Sequence, residues 1–319
     1  MKSLNTPPEN LRQTGKRNLR GFKKYYVYYL FFLPCALSFI LFNYLPMAGI
    51  VLSFKDFWPK YGVWGSPWMQ PFYGHFVTLF RDPYFWSVLK NTLVISLLRL
   101  VIGFPAPIIL ALLFNELPFA RFKKFAQTVL YLPHFLSWII LAGMFKTLLM
   151  QDGLINRFVG VFGLGPVSFL TSSGPFLTFI ILSDIWKGMG FGSVLYLAAL
   201  SGIDPCMYEA ARIDGANRLQ RIRFITLPGI APVISIQLIL SLSGILNGGF
   251  DQIYNLYSEP VYDVADIIDT YLYRIGFEGG ISHNIELSTA LGLFKSVVAF
   301  VLIYFTNRAA NKIGGTGVW

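Results

Sequence analysis

Ionisable side chains inside otherwise apolar stretches are the first candidates for chemistry in this sequence. A charge in hydrocarbon is costly, so such a residue is by default a functional hypothesis. Six residues are of this kind: Arg99, Glu116, Lys146, Asp184, Lys187 and Lys295. Glu116 and Lys146 lie near the ends of their stretches and are expected to extend to the membrane interface. Asp184 and Lys187 share a helix face, which predicts either a mutual ion pair or a polar cavity lining.

Residue sets with the spacing of a catalytic or metal centre are absent from the sequence. His75, His134 and His283 are isolated, and Cys35 and Cys206 fit neither a metal pattern nor a disulfide framework. No glycine-rich phosphate loop is present. The sequence therefore predicts no catalytic residue, no metal ligand and no nucleotide site in this chain.

Composition indicates where the candidate residues are held. Of the 319 residues, 55% are apolar and only 13% are charged, whereas soluble domains carry about 25% charged residues. This excludes a disordered chain, a nucleic-acid module and an ordinary soluble enzyme. The net charge of +10 is better explained by basic cytoplasmic loops of a membrane protein.

Six apolar segments are each long enough to cross a bilayer, which takes about 20 helical residues. They cover about 25–54, 88–114, 126–149, 176–200, 228–247 and 286–306. The predicted fold class is therefore an all-α integral membrane protein with six transmembrane helices in a membrane domain at 25–306.

The distribution of Lys and Arg predicts the orientation. Basic residues concentrate in the tails 1–24 and 307–319 and in the connections 115–125 and 201–227. By the positive-inside rule these segments are cytoplasmic, which puts both termini inside. Segment 55–86 is rich in Trp, Tyr, Pro and Gly, and we expect it to be an extracytoplasmic loop lying at the membrane interface.

One cytoplasmic loop, 201–228, carries local signals of its own. Asp204 is a good N-cap and Pro205 a good first residue for a helix over 205–214. Gly215 can then turn the chain. A second short helix is expected to run to about Phe224, and Pro228 is expected to begin the next span.

The same loop resembles the EAA loop of bacterial ATP-binding-cassette importer permeases. Glu209-Ala210-Ala211, then three residues, Gly215, then nine residues, Ile225-x-Leu227-Pro228 match that pattern at every fixed position. The resemblance implies a type I importer fold of the maltose-type, carbohydrate-uptake class. It also implies that the first short helix couples a separate ATPase to the membrane helices. The positions carried over are Glu209, Ala210, Ala211, Arg212, Asp214 and Gly215.

Two further segments narrow the resemblance. Segments 130–135 and 250–256 are similar to those of polysaccharide and oligosaccharide permeases, including importers of alginate and of pectin fragments. Such permeases work as heterodimers. The resemblance therefore implies three kinds of partner: a second permease subunit, two ATPase subunits that bind ATP and Mg, and an extracytoplasmic solute-binding protein. It also implies that this chain lies in the bacterial inner membrane.

Sugars are commonly held by aromatic faces together with amide and carboxylate hydrogen bonds. The end of the fifth span, with Gln237 and the segment from Asn247 to Tyr254, offers this chemistry, and Arg99 and Lys295 could pair with the carboxylate of an acidic sugar. The candidate substrate residues are Asn247, Asp251, Gln252, Tyr254, Lys295 and Arg99. A helix end followed by a turn is the alternative explanation of the fifth-span segment. Alternatives for the whole chain are an ion-coupled secondary transporter, which would favour repeated halves, and a membrane-embedded enzyme.

Overall fold

The computed structural model describes residues 10–278 and 284–312, and regular structure in this part is helical apart from one isolated bridge between Lys55 and Trp68. The helices used below are α1 (Asn10–Phe39), α2 (Gly74–Arg81), α3 (Pro83–Leu98), α4 (Pro105–Glu116), α5 (Ala120–Tyr131), α6 (Trp138–Leu148), α7 (Leu154–Val161), α8 (Ser173–Leu200), α9 (Pro205–Ile213), α10 (Arg218–Arg221), α11 (Leu227–Ser243), α12 (Phe250–Leu256), α13 (Ile268–Tyr273) and α14 (Ile285–Lys312). Short 3-10 or π segments adjoin several of them, at Ala48–Phe54, Arg99–Gly103, Leu132–Phe135 and Ile222–Thr226.

The membrane-crossing helices fall into two groups. Four are continuous and apolar enough to cross a bilayer, namely Tyr25–Phe54, Pro83–Glu116, Arg218–Leu242 and Ile285–Arg308. Two bent pairs, α5 with α6 and α8 with α9, pass the same test together and bring the total to as many as six. The all-helical membrane fold expected from the sequence is therefore confirmed.

The third predicted span, 126–149, is a broken helix rather than a straight one. α5 ends in the 3-10 turn Leu132–Phe135, and the chain bends by 100° before α6. Pro133 cannot donate a backbone hydrogen bond at this point, and Ser137 caps the new helix by accepting from the Ile140 amide at 3.3 Å. Lys187 Nζ donates to the carbonyl oxygen of His134 at 2.8 Å, which satisfies a group freed by the break.

The fifth span begins earlier than predicted. The helix runs without a break from Arg218, through a π turn at Ile222–Thr226, into α11, so Pro228 lies inside it and a separate helix ending near Phe224 was a wrong prediction. The widened turn precedes Pro228, whose ring has no N–H to bond the carbonyl four residues back. Asn217 begins the helix through a capping box with Gln220, with contacts of 2.8 and 2.9 Å.

α8 is the central helix of the bundle. Phe176, Ile180 and Ile181 on its first half belong to one buried cluster, and Tyr196 and Leu200 on its second half belong to another. Close approach is possible because Gly190 has no side chain: a Cβ there would overlap the carbonyl group of Leu130 at the end of α5.

The first span, Tyr25–Phe54, contrasts with α8 because most of it is exposed within this chain. Only 6% of the residues in the apolar window of the first span are buried. Phe31 and Phe42 are 80% and 76% exposed. From Tyr25 to Ala48 the first span is therefore largely exposed within this chain, whereas Leu52 and Ser53 at its end are buried.

The segment between α12 and α14 is fixed to the start of α3 by a buried carboxylate. Asp266 is fully buried and accepts hydrogen bonds from Tyr84 Oη, Thr270 Oγ1 and the Arg274 guanidinium. Burial by itself lowers the pKa of Arg274, but the hydrogen bond and charge of Asp266 outweigh it, so the net pKa is raised. Burial raises the pKa of Tyr271, and its hydrogen bond to Asp82 at 2.8 Å raises that pKa further.

Candidate functional site

The first candidate site is the helix α9, whose start follows from local side-chain chemistry. Asp204 has an extended backbone, and its Oδ1 accepts from the Cys206 amide at 2.9 Å. Pro205 occupies the first turn, where its missing N–H costs nothing. The helix ends at Ile213, so the predicted element is confirmed to within one residue.

Gly215 ends α9 in a left-handed conformation. Its φ is +79°, a value that residues with a Cβ rarely adopt, and no heavy atom lies within 4 Å of where a Cβ would be. The amide of Gly215 donates to the Arg212 carbonyl at 3.1 Å and that of Ala216 to the Ala211 carbonyl at 2.8 Å. This is a Schellman motif. Glycine is therefore required here for its backbone freedom, not for space.

α9 presents unpaired polar groups to the exterior. Glu209, Ala210, Arg212 and Asp214 are exposed, while Ala211 is half-buried. Among the residues that the structure describes, the side chains of Glu209 and Arg212 make no hydrogen bond or ion pair. Exposed apolar side chains flank them, with Ile213 86% exposed. A surface of this composition is available for contact with another protein.

α9 is also tied mechanically to the two helices that flank it. The Tyr208 hydroxyl lies 3.0 Å from Thr226 Oγ1, at the entry to α11. A Cβ on Gly229 of α11 would come within 2.7 Å of Ile203, which lies in the turn after α8. The α9 helix therefore contacts the entry to α11, and the turn that joins α8 to α9 lies against α11 as well.

The second candidate site is a cavity of about 450 Å³ among the bundle helices. α3, α8 and α11 all contribute to its wall. Its polar lining residues are Ser96, Arg99, Tyr196, Gln237, Ser241 and Asn247. Two of the predicted substrate residues, Arg99 and Asn247, are thus brought together in one cavity.

Arg99 is held by partners from distant parts of the chain. Its Nε lies 3.7 Å from Asp184 Oδ2, and its guanidinium donates to Gln252 Oε1. Gln252 is buried and in turn donates to the Ile180 carbonyl and to Ser183 Oγ, both at 2.8 Å. The predicted pair of Asp184 with Lys187 is therefore wrong: Asp184 pairs with Arg99, because Lys187 is directed to the helix break at His134.

Gly249 allows the guanidinium of Arg99 to lie directly against the backbone. Its φ is +86°, and a Cβ at this position would overlap Arg99 Nη1. Both the backbone conformation and the close approach therefore require glycine. Arg99 Nε is buried without a hydrogen-bond partner in the described part of the chain, and it faces Asp184 Oδ2 at 3.7 Å.

The remaining predicted substrate residues lie elsewhere. Lys295 Nζ pairs with Asp269 Oδ1 at 2.6 Å and is not part of the cavity lining. Tyr254 donates to Glu278 Oε1 at 2.7 Å and stacks on Phe250. Asp251 is exposed at the start of α12. Gln252 acts behind the cavity surface, where it positions Arg99.

Three of the six polar lining residues, namely Ser96, Ser241 and Tyr196, were not singled out from the sequence. Ser96 precedes Arg99 by three residues and Ser241 follows Gln237 by four, so each shares a helix face with a more obvious polar residue. That spacing could have identified both serines. Tyr196 stands in an apolar run and carries no such signal.

The histidines and cysteines do not converge within the described ranges. No group of three or more His, Cys, Asp or Glu side chains in residues 10–278 and 284–312 could hold a metal ion. His134 stacks on Phe191 with ring centroids 4.2 Å apart, and His75 Nε2 lies 3.0 Å from the Lys55 carbonyl oxygen. Cys35 and Cys206 are free thiols. His283 lies outside the described residues.

Comparison with known proteins gives consistent matches. The "Polygalacturonan/rhamnogalacturonan transport system permease protein YteP" of Bacillus subtilis (strain 168) is 44% identical over 91% of this chain and 89% of its own. "Protein LplB" of the same organism is 42% identical over 91% of this chain and 90% of its own. A solved structure is described as a bacterial transporter "involved in the import of the acidic polysaccharide alginate", and one of its chains is 41% identical to this one. The two superpose with a TM-score of 0.85 over 93% of this chain and 99% of the solved chain.

The family match covers both candidate sites except for the residues before 103. Residues 103–313 match the family described as "Binding-protein-dependent transport system inner membrane component". The helical membrane fold, the EAA pattern of the α9 loop and the similarity over nearly the whole chain agree with that match. This chain belongs to the family of inner membrane components of binding-protein-dependent transport systems.

Proposed function

We propose that this chain is the permease subunit of an ATP-driven importer that translocates an oligosaccharide or polysaccharide into the cytoplasm. Uronic-acid-rich sugars such as alginate are the proposed substrate class. The general sugar class is supported by relatives whose names refer to polygalacturonan and rhamnogalacturonan, to lactose and to arabinooligosaccharides. Of these sugars, only polygalacturonan and rhamnogalacturonan contain a uronic acid and support the acidic class. A solved neighbour is described as a complex with an "alginate pentasaccharide-bound periplasmic protein".

The geometry of α9 is the observation that carries the ATP-driven part of the proposal. A short capped helix with unpaired charges and exposed apolar groups is a suitable docking element for a separate ATPase subunit. We assign the contact to Glu209, Ala210, Ala211, Arg212 and Asp214, with Gly215 as the turn that fixes the helix direction. Two such ATPase subunits would bind the ATP and Mg, and this chain would bind neither.

Coupling would pass from α9 into the walls of the cavity. α8 carries Tyr196 and α11 carries Gln237 and Ser241, and the ends of both helices contact the α9 loop. Movement of the ATPase would displace α9 and with it both helices. A ligand-dependent change of access requires contacts that differ between two states, and the contact between α9 and the ATPase is where we expect them to differ.

The cavity is the proposed passage for the sugar. Ser, Gln, Asn and Tyr side chains provide hydrogen bonds for hydroxyl groups, and Arg99 provides a cation for a carboxylate. Asp184 only partly neutralises Arg99 at 3.7 Å, so a uronate could take its place. Asp251, Tyr254 and Lys295 would contact sugar only on a different part of the route.

A second permease subunit is proposed to complete the pathway. The first span has few contacts in its own chain, and about a third of the Asp184 side chain is exposed within the membrane region, where lipid is a poor environment for a carboxylate. A partner subunit facing α8 would enclose the exposed part of the Asp184 side chain. The assembly would lie in the bacterial inner membrane with both termini of this chain in the cytoplasm, and a solute-binding protein would deliver the sugar from outside.

The ATP-driven proposal is tested with Glu209→Ala in the intact transporter. Loss of the carboxylate should reduce sugar uptake at least about tenfold, corresponding to about 1.4 kcal/mol or more in the coupling contact. Glu259→Ala is the matched control, because Glu259 is also exposed but lies beyond α12, far from α9 in the chain. Uptake into proteoliposomes and co-purification of the ATPase subunits are measured for both variants.

Unchanged uptake and unchanged ATPase binding in Glu209→Ala would contradict the proposed docking role of α9. Uptake driven by an ion gradient in the absence of any ATPase would instead favour an ion-coupled secondary transporter. The similarity to binding-protein-dependent systems argues against that alternative.

Substrate class is tested separately with Arg99→Met and Arg99→Lys. The methionine variant should lose about tenfold more uptake of a uronic-acid oligosaccharide than of a neutral one of equal length, since one charge-assisted hydrogen bond contributes about 1.5–3 kcal/mol. The lysine variant retains the charge and should recover part of that loss. Arg157→Met is the control, because Arg157 is an exposed cation of α7 that does not line the cavity. Equal losses for acidic and neutral sugars would reject the assignment of Arg99.

A further inference from the structure

A second cavity, which we call the outer cavity, lies apart from the central cavity that holds Arg99. It has a volume of about 410 Å³ and lies between the end of α6, the chain ahead of α8 and the end of α12. The two cavities share no lining residue, and the volume is within the range of small-molecule sites, about 300–1,000 Å³. The polar lining residues of the outer cavity are Lys146, Gln151, Ser168, Thr171, Tyr257 and Ser258.

The wall of the outer cavity is fixed by a buried amide side chain. Asn156 of α7 is 5% exposed, and its Nδ2 donates to the carbonyl oxygens of Met150 at 2.9 Å and Val167 at 3.0 Å. Its Oδ1 accepts from the Val167 amide at 2.8 Å. Met150 lines the cavity, and Val167 directly precedes the lining residue Ser168. Asn156 therefore holds two sides of the cavity at a set separation.

Lys146 gives the outer cavity a cation without a partner. It is exposed in the last turn of α6, and its Nζ makes no hydrogen bond or ion pair with residues 10–278 and 284–312. The described lining contains no Asp or Glu. The end of a helix favours a cation, but that preference leaves the N–H donors of the ammonium unused. A cation together with an amide, hydroxyl groups and the Tyr257 side chain suits a sugar that carries a carboxylate.

A row of aromatic rings joins the outer cavity to the central cavity. Phe250, Tyr254 and Tyr257 are spaced by four and three residues along α12 and its C-cap, so they share a face. Ring centroids are 5.2 Å apart from Phe250 to Tyr254 and 6.1 Å apart from Tyr254 to Tyr257. Gly249, directly before Phe250, lines the central cavity, and Tyr257 lines the outer one. All three rings are half-buried, so part of each is accessible along α12, which rises about 10 Å.

We infer that the outer cavity is a second subsite for a uronic-acid oligosaccharide, in which Lys146 binds the carboxylate of one sugar unit while Arg99 binds that of another. The inference rests on the proposed function, which makes the central cavity the sugar passage and puts the Lys146 end of α6 on the outer side. An oligosaccharide long enough to extend along α12 would contact both cations, and two contacts on one chain add more affinity than either alone. Continuity with the central cavity through the row of rings favours the sugar over the solute-binding protein as the occupant.

The test measures uptake of digalacturonate and of hexagalacturonate by the intact transporter in proteoliposomes, with the solute-binding protein present. Lys146→Met should lower hexagalacturonate uptake about fivefold and change digalacturonate uptake less than about twofold. Lys146→Arg retains the cation and should recover most of the loss. Arg157→Met is the control and should show no dependence on length, because Arg157 is an exposed cation of α7 that does not line the outer cavity.

Arg99→Met should lower uptake of both lengths, because both would pass the central cavity. Equal losses of the two lengths in Lys146→Met, or no loss of either, would overturn the second subsite and leave the proposed function intact. Absence of galacturonate uptake by the unaltered transporter would instead reject the proposed substrate class, and this inference with it.

A second readout does not depend on transport. Thr171→Cys, combined with Cys35→Ser and Cys206→Ser, introduces a thiol in the lining of the outer cavity, and a membrane-impermeant maleimide measures its accessibility. Hexagalacturonate together with its binding protein should slow labelling about threefold, as expected when about two thirds of the sites are occupied. Unchanged labelling would overturn the inference. Equal slowing by the sugar-free binding protein would also overturn it and assign the cavity to protein docking.

Discussion

The α9 loop and the central cavity differ in whether their charged side chains have partners within the chain. Glu209 and Arg212 on α9 are exposed and have no partner among the described side chains, whereas Arg99 in the cavity is half-buried and lies against Asp184, Gln252 and Gly249. The difference follows from the surroundings. A docking surface in water can leave its charges free until a partner binds, but a cation within a membrane must be partly neutralised at all times. The two regions should therefore respond differently to substitution.

The largest effect is expected from Gly215→Pro. Proline fixes φ near −65° and removes an N–H, whereas Gly215 has φ +79° and donates to the Arg212 carbonyl. The end of α9 would be rebuilt, and both ATPase co-purification and sugar uptake should fall to background. Gly163→Pro is the matched control, since Gly163 has φ +74° and equally open surroundings but lies between α7 and α8. If the two variants lose uptake equally, the effect is not specific to α9.

An intermediate effect is expected from Gly249→Ala, which tests the contact with Arg99 in the cavity. The new methyl group would overlap the Arg99 guanidinium, and φ of +86° adds strain of about 1–2 kcal/mol. Uptake of acidic sugar should fall about tenfold while ATPase co-purification persists. Gly244→Ala is the control, because its nearest heavy atom would lie at 3.5 Å and its φ is −91°. Loss of ATPase binding in Gly249→Ala would show that the two regions are not separable.

The smallest effect is expected from Asp184→Asn, which tests whether Asp184 competes with the substrate for Arg99. At 3.7 Å the carboxylate competes with an acidic sugar for Arg99. Its neutralisation should lower the KM for a uronic-acid oligosaccharide about two- to fivefold, equivalent to about 0.5–1 kcal/mol, and leave the KM for a neutral sugar unchanged. Transport kinetics in proteoliposomes provide the measurement. An increase in the KM for the acidic sugar would mean that Asp184 positions Arg99 instead of competing for it.

The two regions also differ in how far the sequence predicts them. The start of α9 at Asp204 and Pro205, and its end at Gly215, depend on neighbours within a few residues, so the local pattern was sufficient. Arg99 meets Gln252 across 153 positions of the chain, a pairing that no local spacing encodes. The hydrogen bond from Lys187 to the His134 carbonyl could not be predicted from local spacing either, because it depends on a break in another span.

Span number was predictable from apolar length, whereas the shape of each span was not. Pro133 coincides with the end of a helix and a sharp bend, but Pro228 is accommodated inside a helix by a π turn. The same residue type therefore gave two outcomes. Their surroundings differ: the bend after Pro133 receives a hydrogen bond from Lys187 of α8, whereas Gly229, next to Pro228, lies close against Ile203. The roles of the cavity and α9 residues stay predictions until the variants above are measured.

The buried Asp266 has a consequence for how the bundle can move. Its hydrogen bonds with Tyr84, Thr270 and Arg274 join the first turn of α3 to the segment beside α13. Removing one partner of a buried ion pair costs about 3–5 kcal/mol, so thermal motion will seldom separate these pieces. The start of α3 and the segment around α13 are therefore expected to move as one unit in any change of access.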